Sequence, residues 1–456
     1  MGVDHFHVAR DDTLIKRRPW YVLAGGLFLL SALAHQPLAF LAALFALVIG
    51  IVPEIWYRRA LRHLVVRQQL SERRVLFGET TTLSISIENR KFLPLPWLEI
   101  EDEIPIHIPL LTGRASPSYK VNRALLVNSV SLWAFQRVTR RYHLRCLARG
   151  VYTFGPVLMR SGDPFGWLIR EEQIVARETL LVYPLVAPIE AFGLSPRNPF
   201  GEGLAKGRLL EDPFRIAGVR DYAFGDDPRR IHWKATARAG ELRSKIYEPG
   251  GQHRLLILLD INTYKEVWMG HDPELQELTI TAAASLALWA LDKGYAVGLL
   301  VNSLMMSLSG EGPSSDGEPL SQMFIHRVYV PITSNSRQRE RLLSALGRLL
   351  PYSGSSMEAL IDAERVPIAT GTTILLVSAA AVVSETTIER LLQVRKRGAA
   401  VHLALTGDDA SVVGTDTYNL PVHHLGGREK WHELTRSINN AGHESAGQSE
   451  TSLQLD

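Results

Sequence analysis

The sequence predicts a multidomain protein with an N-terminal transmembrane helical hairpin, a β-sandwich-like domain, and then an α/β domain with a mostly parallel sheet. Three observations predict this. Two long apolar runs lie side by side near the N-terminus. From about residue 72 to residue 189, short stretches alternate apolar and polar residues between Gly, Pro or polar breaks, as half-buried strands do. After residue 251, continuous apolar strands alternate with amphipathic helices, which is how a parallel sheet covered on both faces is encoded. A chain of 456 residues is also too long for one ordinary core.

The apolar runs are "WYVLAGGLFLLSALA" (20–34) and "PLAFLAALFALVIGIV" (37–52), each somewhat short of the ~20 residues that span a bilayer comfortably. Trp20, Tyr21, Trp56 and Tyr57 mark their outer ends, where interfacial aromatics belong. Lys16, Arg17 and Arg18 precede the pair, Arg58, Arg59, Arg62 and Arg67 follow it, and only His35, Gln36 and Pro37 separate the runs. Positive flanks on both sides predict a hairpin with both ends in the cytoplasm, in a multi-pass protein of the inner (plasma) membrane. A cleavable signal peptide ending near "ALA" (32–34) is the rival reading, and it leaves everything after Arg58 on the same side.

The expected order is a cytoplasmic tail over 1–18, two transmembrane helices over 19–57 and a basic juxtamembrane segment over 58–71. A β-rich domain over 72–189 follows, then a linker with a charged segment over 190–250, the α/β domain over 251–441 and a tail over 442–456 too polar to fold. "SGDPFGW" (161–167) predicts a tight turn, with Pro at its second position. Cys146, the one cysteine, falls on the apolar face of a strand and fits a buried structural thiol in a reducing compartment. "GEGLAKGR" (201–208) lacks the ending of a phosphate loop and is assigned to the linker. A helix is expected over 273–293, another over 337–350 and a third over 384–398.

The densest passage is "GVRDYAFGDDPRRIHWKATARAGELRSKIYE" (218–248). Charges crowd it, yet Tyr222 and Trp233 signal burial. Asp227 is a plausible N-cap, Pro228 the first helical residue and Gly240 the C-terminal stop. Arg220, Asp221, Tyr222, Asp226, Asp227, Arg229, Arg230, His232, Trp233, Lys234 and Arg238 form the candidate binding set. The leading reading is a clasp between domains, made of Arg–carboxylate pairs around Trp233. The second is a docking surface for a partner protein or anionic ligand, for which Arg is well suited. The third is an enzyme site built on His232 and Asp226, although no nucleophile, metal cluster or cofactor loop accompanies them. Carboxylates interleave the cations and, with a net charge of only +3, cancel the field that nucleic-acid binding needs.

This passage, together with "RGVYTFGPVLMRSGDPFGW" (149–167), resembles the domain of unknown function 58 family of prokaryotic membrane proteins. The resemblance implies an N-terminal hairpin, a β-rich domain and a C-terminal domain similar to von Willebrand factor A. It also implies as partners a MoxR-type AAA+ ATPase and other von Willebrand A-type or transglutaminase-like membrane proteins. It implies no reaction. A von Willebrand A metal site needs Asp-x-Ser-x-Ser; here Asp260 and Asn262 are in register, but Tyr264 replaces a hydroxyl and Ser378-Ala379-Ala380 stands where a later acid is expected. The site at Asp260 and Asn262 is therefore read as degenerate, with no metal and no cofactor. The expected function is a membrane-anchored, non-enzymatic scaffold or assembly factor acting with a MoxR-type ATPase through its cytoplasmic domains. The alternative is an envelope-associated hydrolase or transferase.

Overall fold

The computed structural model describes residues 22, 25–26, 28–29, 37–174, 178–197, 199–200, 211–224, 226–249, 253–307, 324–325, 328–363, 371–409 and 419–438. The first apolar run, the segment 201–208 and the polar tail lie largely or wholly outside these residues. The chain divides into two compact units, Met1–Val182 and Tyr183–Asp456.

In the first unit, helix α1 (Pro37–Arg59) carries the second apolar run. Its stretch Phe40–Arg59, 20 residues at mean hydropathy 2.0, is the one described helix long and apolar enough to cross a membrane. At 1.5 Å per residue it reaches about 30 Å, the thickness of a hydrocarbon core. From Leu64 onward, the regular structure described in the unit is sheet. Strands β1 (Leu64–Leu70), β2 (Arg74–Val75), β3 (Thr80–Asn89), β4 (Leu95–Pro105), β5 (Ser116–Pro117), β6 (Arg123–Leu132) and β7 (Arg137–Arg145) are followed by β8 (Gly150–Phe154), β9 (Val157–Gly162), β10 (Ile169–Ile174) and β11 (Glu178–Val182). They form sheets ordered β1-β3-β7, β10-β9-β4-β6-β5 and β2-β11-β8. Strand β1 falls inside the segment expected to be a basic juxtamembrane stretch; its alternating Leu64, Val66 and Gln68 pair with Asn89, Ile87 and Ile85.

Alternation explains the core. Leu83, Ile85 and Ile87 of β3 and Leu98, Ile100 and Ile104 of β4 point inward and share one buried cluster with Leu126, Leu144 and Cys146. The Cys146 thiol is pushed up to about 12 by burial, which makes it a poor nucleophile. The expected turn at 161–167 is present. Gly166 donates its N–H to the Asp163 carbonyl at 3.1 Å, and the Asp163 carboxylate accepts from the Phe165 and Leu168 N–H groups at 2.9 and 2.5 Å. Gly162 is obligatory there, because a Cβ would lie 1.9 Å from the Leu168 carbonyl oxygen.

The second unit begins with β12 (Glu211–Asp221), α2 (Trp233–Ala239) and β13 (Arg243–Pro249). It continues with β14 (Arg254–Leu259), α3 (Pro273–Asp292), β15 (Ala296–Val301), β16 (Ser303–Met306), β17 (Phe324–Ile325), β18 (Val328–Thr333), α4 (Gln338–Gly347), β19 (Leu349–Ser353), α5 (Met357–Ala363), β20 (Thr372–Ala379), α6 (Glu385–Lys396), β21 (Ala400–Thr406) and β22 (Val422–His424). A last helix, α7, covers 428–438. The main sheet runs β18-β15-β14-β20-β21-β22, with all neighbours parallel except the edge strand β18. Strand β20 is buried at every position, as a strand covered on both faces must be.

The helix expected over 337–350 stops at Gly347. The reason is a competing pairing: the Arg348 guanidinium donates to the Met306 carbonyl at 2.7 Å while Met306 donates its N–H to the Arg348 carbonyl at 3.0 Å. That exchange draws Leu349–Ser353 into an antiparallel sheet ordered β17-β16-β19. The helices expected over 273–293 and 384–398 are present, capped by the Asp272 and Ser384 side chains.

Candidate functional site

The charged segment folds as a two-stranded ribbon whose tip is a knot of turns. Strands β12 and β13 pair from Asp221↔Arg243 back to Glu211↔Pro249, with register shifts between Glu211 and Gly218. At the tip, Tyr222 donates its N–H to the Leu242 carbonyl at 3.0 Å and its hydroxyl to the Asp226 carbonyl at 2.8 Å. The Asp226 carboxylate accepts from Arg220 at 2.6 Å and from the Ala223 N–H at 3.1 Å. These two partners, the guanidinium first, hold the Asp226 carboxyl below the usual carboxylate range. Asp221 pairs with Arg243. Two predicted acids thus pair with Arg220, which was predicted, and with Arg243, which was not.

The predicted caps are in place, but one expected helix is two. Asp227 accepts from the Arg229 N–H at 2.9 Å and opens a 3₁₀ turn over Pro228–Arg230. Ile231 then breaks out to bridge Ser244, and both are buried. His232 restarts the chain as N-cap of α2: its Nδ1 accepts from the Ala235 N–H at 3.0 Å. That bond gives the imidazole a structural job. Gly240 closes α2 in the left-handed region at φ 74, as its position required.

Exposure overturns one expectation. Trp233 is 69% exposed and Phe224 fully so. Tyr222 is half-buried, as expected of it, whereas Arg229, Lys234 and Arg238 stand on the surface and Arg230 is half-buried and engaged. A seven-residue helix has too little apolar stripe to bury its one tryptophan. The tip therefore presents Phe224, Trp233 and Leu242, all exposed, among cations. Phe224, Leu242 and Arg243 were missed from the sequence; the signal available was an aromatic and a leucine inside an otherwise polar turn region.

A second polar cluster lies at the carboxyl ends of β14 and β20, the crevice where open α/β sheets bind ligands. Asp260 is buried and pushed up to about 6 by that burial. Its Oδ1 accepts from the Asn262 N–H at 3.0 Å and the Asn302 amide at 2.7 Å, while Asn302 accepts from the Ile261 N–H at 3.0 Å. Asn262 thus contributes its backbone to Asp260, and Asp260 organises the loop. Ser378 is buried and donates to the Ala379 carbonyl at 3.2 Å; Tyr264 is partly exposed. Among the described residues, no three or more His, Cys, Asp or Glu converge in a way that could hold a metal ion.

Comparison with known proteins gives a partial family match and little more. One curated relative, "Uncharacterized protein YeaD" of Bacillus subtilis (strain 168), is 24% identical over 202 residues, 44% of this chain and 48% of that protein. The match thus spans about half the length of that relative. Among solved structures, the CARDB domain of the PF1109 protein from Pyrococcus furiosus overlaps 26% of this chain and 91% of that domain at 13% identity and a TM-score of 0.19. A cohesin module from Clostridium perfringens ATCC13124 overlaps 26% of this chain and 95% of the module at 11% identity and a TM-score of 0.19. Overlaps this low carry no argument about this chain. The family model described as "Protein of unknown function DUF58" matches residues 218–349, from the ribbon tip through α4. That segment is thus similar to the DUF58 family, whose function is unknown.

Proposed function

We propose that this protein is a membrane-anchored, non-enzymatic scaffold that docks a partner protein on the tip of its ribbon. The observation that carries the reading is the exposed pair Phe224 and Trp233, set beside the exposed Arg229, Lys234 and Arg238. Trp and Arg are the residues that dominate binding energy in protein interfaces, and large aromatics left in water are otherwise disfavoured. The ion pairs made by Arg220 and Arg243 hold the tip in shape and favour docking over the interdomain clasp.

Two further features support the frame. The strand order with a single antiparallel edge agrees with a von Willebrand A-like domain, and the apolar α1 agrees with the second leg of a hairpin whose two ends face the cytoplasm. A MoxR-type AAA+ ATPase is the partner that the family resemblance suggests. The test is co-purification of that ATPase with the full chain extracted from membranes. Trp233→Ala combined with Phe224→Ser should abolish capture and leave the melting temperature unchanged. Capture that survives this double substitution overturns the docking site.

A further inference from the structure

The first unit places three turns at one end of its sheets, and that is the end from which α1 departs. Register fixes this. Strand β1 begins beside the end of β3, since Leu64 pairs with Asn89, and β7 begins there too, since Glu88 pairs with Arg137. In the neighbouring sheet β4 begins opposite the end of β6, Leu95 with Leu132, and β10 begins opposite the end of β9, Ile169 with Gly162. The β3–β4, β6–β7 and β9–β10 turns therefore surround the α1–β1 junction.

Hydrogen bonds tie these turns to the helix end. Lys91 donates its ammonium to the Ala60 and Arg62 carbonyls at 2.6 and 2.9 Å, and Arg90 donates its N–H to the His63 carbonyl at 3.0 Å. Trp56 of α1 donates to the Pro94 carbonyl at 3.0 Å, and Arg170 donates to the Arg58 carbonyl at 3.5 Å. Asn89 joins two of the turns by donating to the Leu93 and Trp133 carbonyls at 3.0 and 2.9 Å.

Each turn carries exposed aromatics: Phe92 (83%), Trp133 (73%), Phe135 (68%), and the stacked pair Phe165 (54%) and Trp167 (55%). Phe135 sits at φ 58, a left-handed conformation that bulky residues rarely adopt. Strained and uncovered, it has no evident role in the core. Arg58, Arg59 and Arg62 are exposed at the same junction. Leu41, Phe45 and Val48 of α1 are also exposed.

We propose that these three turns form a second membrane contact, in which Phe92, Trp133, Phe135, Phe165 and Trp167 enter the headgroup layer around the emerging helix while the arginines meet anionic headgroups. Aromatic rings with one wet edge are at home at that depth, and basic residues next to a span face an anionic leaflet. The β unit is then held flush against the bilayer and does not swing on a single helix. The inference rests on the membrane-anchor reading.

The test uses the full chain in vesicles of phosphatidylcholine and phosphatidylglycerol carrying nitroxide-labelled lipid. Phe92→Cys, Trp133→Cys and Trp167→Cys are labelled with an environment-sensitive fluorophore. Tyr119→Cys is the control, because it lies in the β5–β6 loop at the opposite end of the strands and is 86% exposed. The parent chain, with its buried Cys146, sets the background. The expected result is lipid quenching at the three turn labels several-fold above that at residue 119. Equal quenching at all four sites, or none at the turns in a chain that resists alkaline carbonate extraction, overturns the contact while leaving the anchor intact. Release of the chain by carbonate overturns both.

Discussion

Each unit buries an aspartate whose carboxyl is pushed up. Asp102 lies at an inward position of β4, in series with Leu98, Ile100 and Ile104. It receives the Gln68 amide at 2.6 Å from the facing sheet, and its Oδ1 has no partner. Burial pushes its carboxyl up to about 7. Asp260 lies just past the end of β14 and receives a backbone N–H and an asparagine amide on one oxygen. Burial pushes its carboxyl up too, to about 6. In an antiparallel pair of sheets a polar residue at a core position finds few donors. At the carboxyl end of a parallel strand the loops supply them.

The comparison can be broken most directly at Asp102. A carboxyl raised in the folded state favours the protonated native form, so its contribution is fully present below the unfolded value of 3.8 and is lost as pH rises through about 7. The shift corresponds to up to roughly 4 kcal/mol across that window. Asp102→Asn should flatten the pH dependence of the first unit between about pH 4 and 7, measured by hydrogen exchange of the β4 amides. Parallel profiles for parent and variant would show that this carboxyl is not buried as described.

Asn302→Ala should come next. It removes a charge-assisted donor from Asp260 and the acceptor of the Ile261 N–H, so the second unit should lose about 1.5–3 kcal/mol in denaturant unfolding. A loss well below that range would mean that water replaces the asparagine. The smallest effect is expected at Arg220, which is exposed. Arg220→Ala deprives Asp226 of its guanidinium, but solvent screens the pair, and thermal unfolding should barely move. A clear drop would restore the clasp reading, in which these charges are desolvated.

Much of this was legible in the chain. Alternation in β3 and the unbroken apolar run of β20 announced two kinds of sheet, because side-chain period reports how many faces are covered. The caps Asp227 and Gly240 were signalled by residue type and position. Asp102 also left a signal, an acid at an inward position of an alternating strand. The split at Ile231 was not legible, since it depends on a bridge to Ser244 across the ribbon.

By itself, the sequence determined the apolar helix, the class of each unit and the local turns, because periodicity, capping and glycine conformation act over a few residues. Only the tertiary structure decided that α4 gives way to β19, that Arg243 pairs with Asp221, and that Trp233 faces water. It alone gathered the β3–β4, β6–β7 and β9–β10 turns around the end of α1. Each of these depends on strand register between segments far apart in the chain, and one residue of slip would send the same side chains to the opposite face.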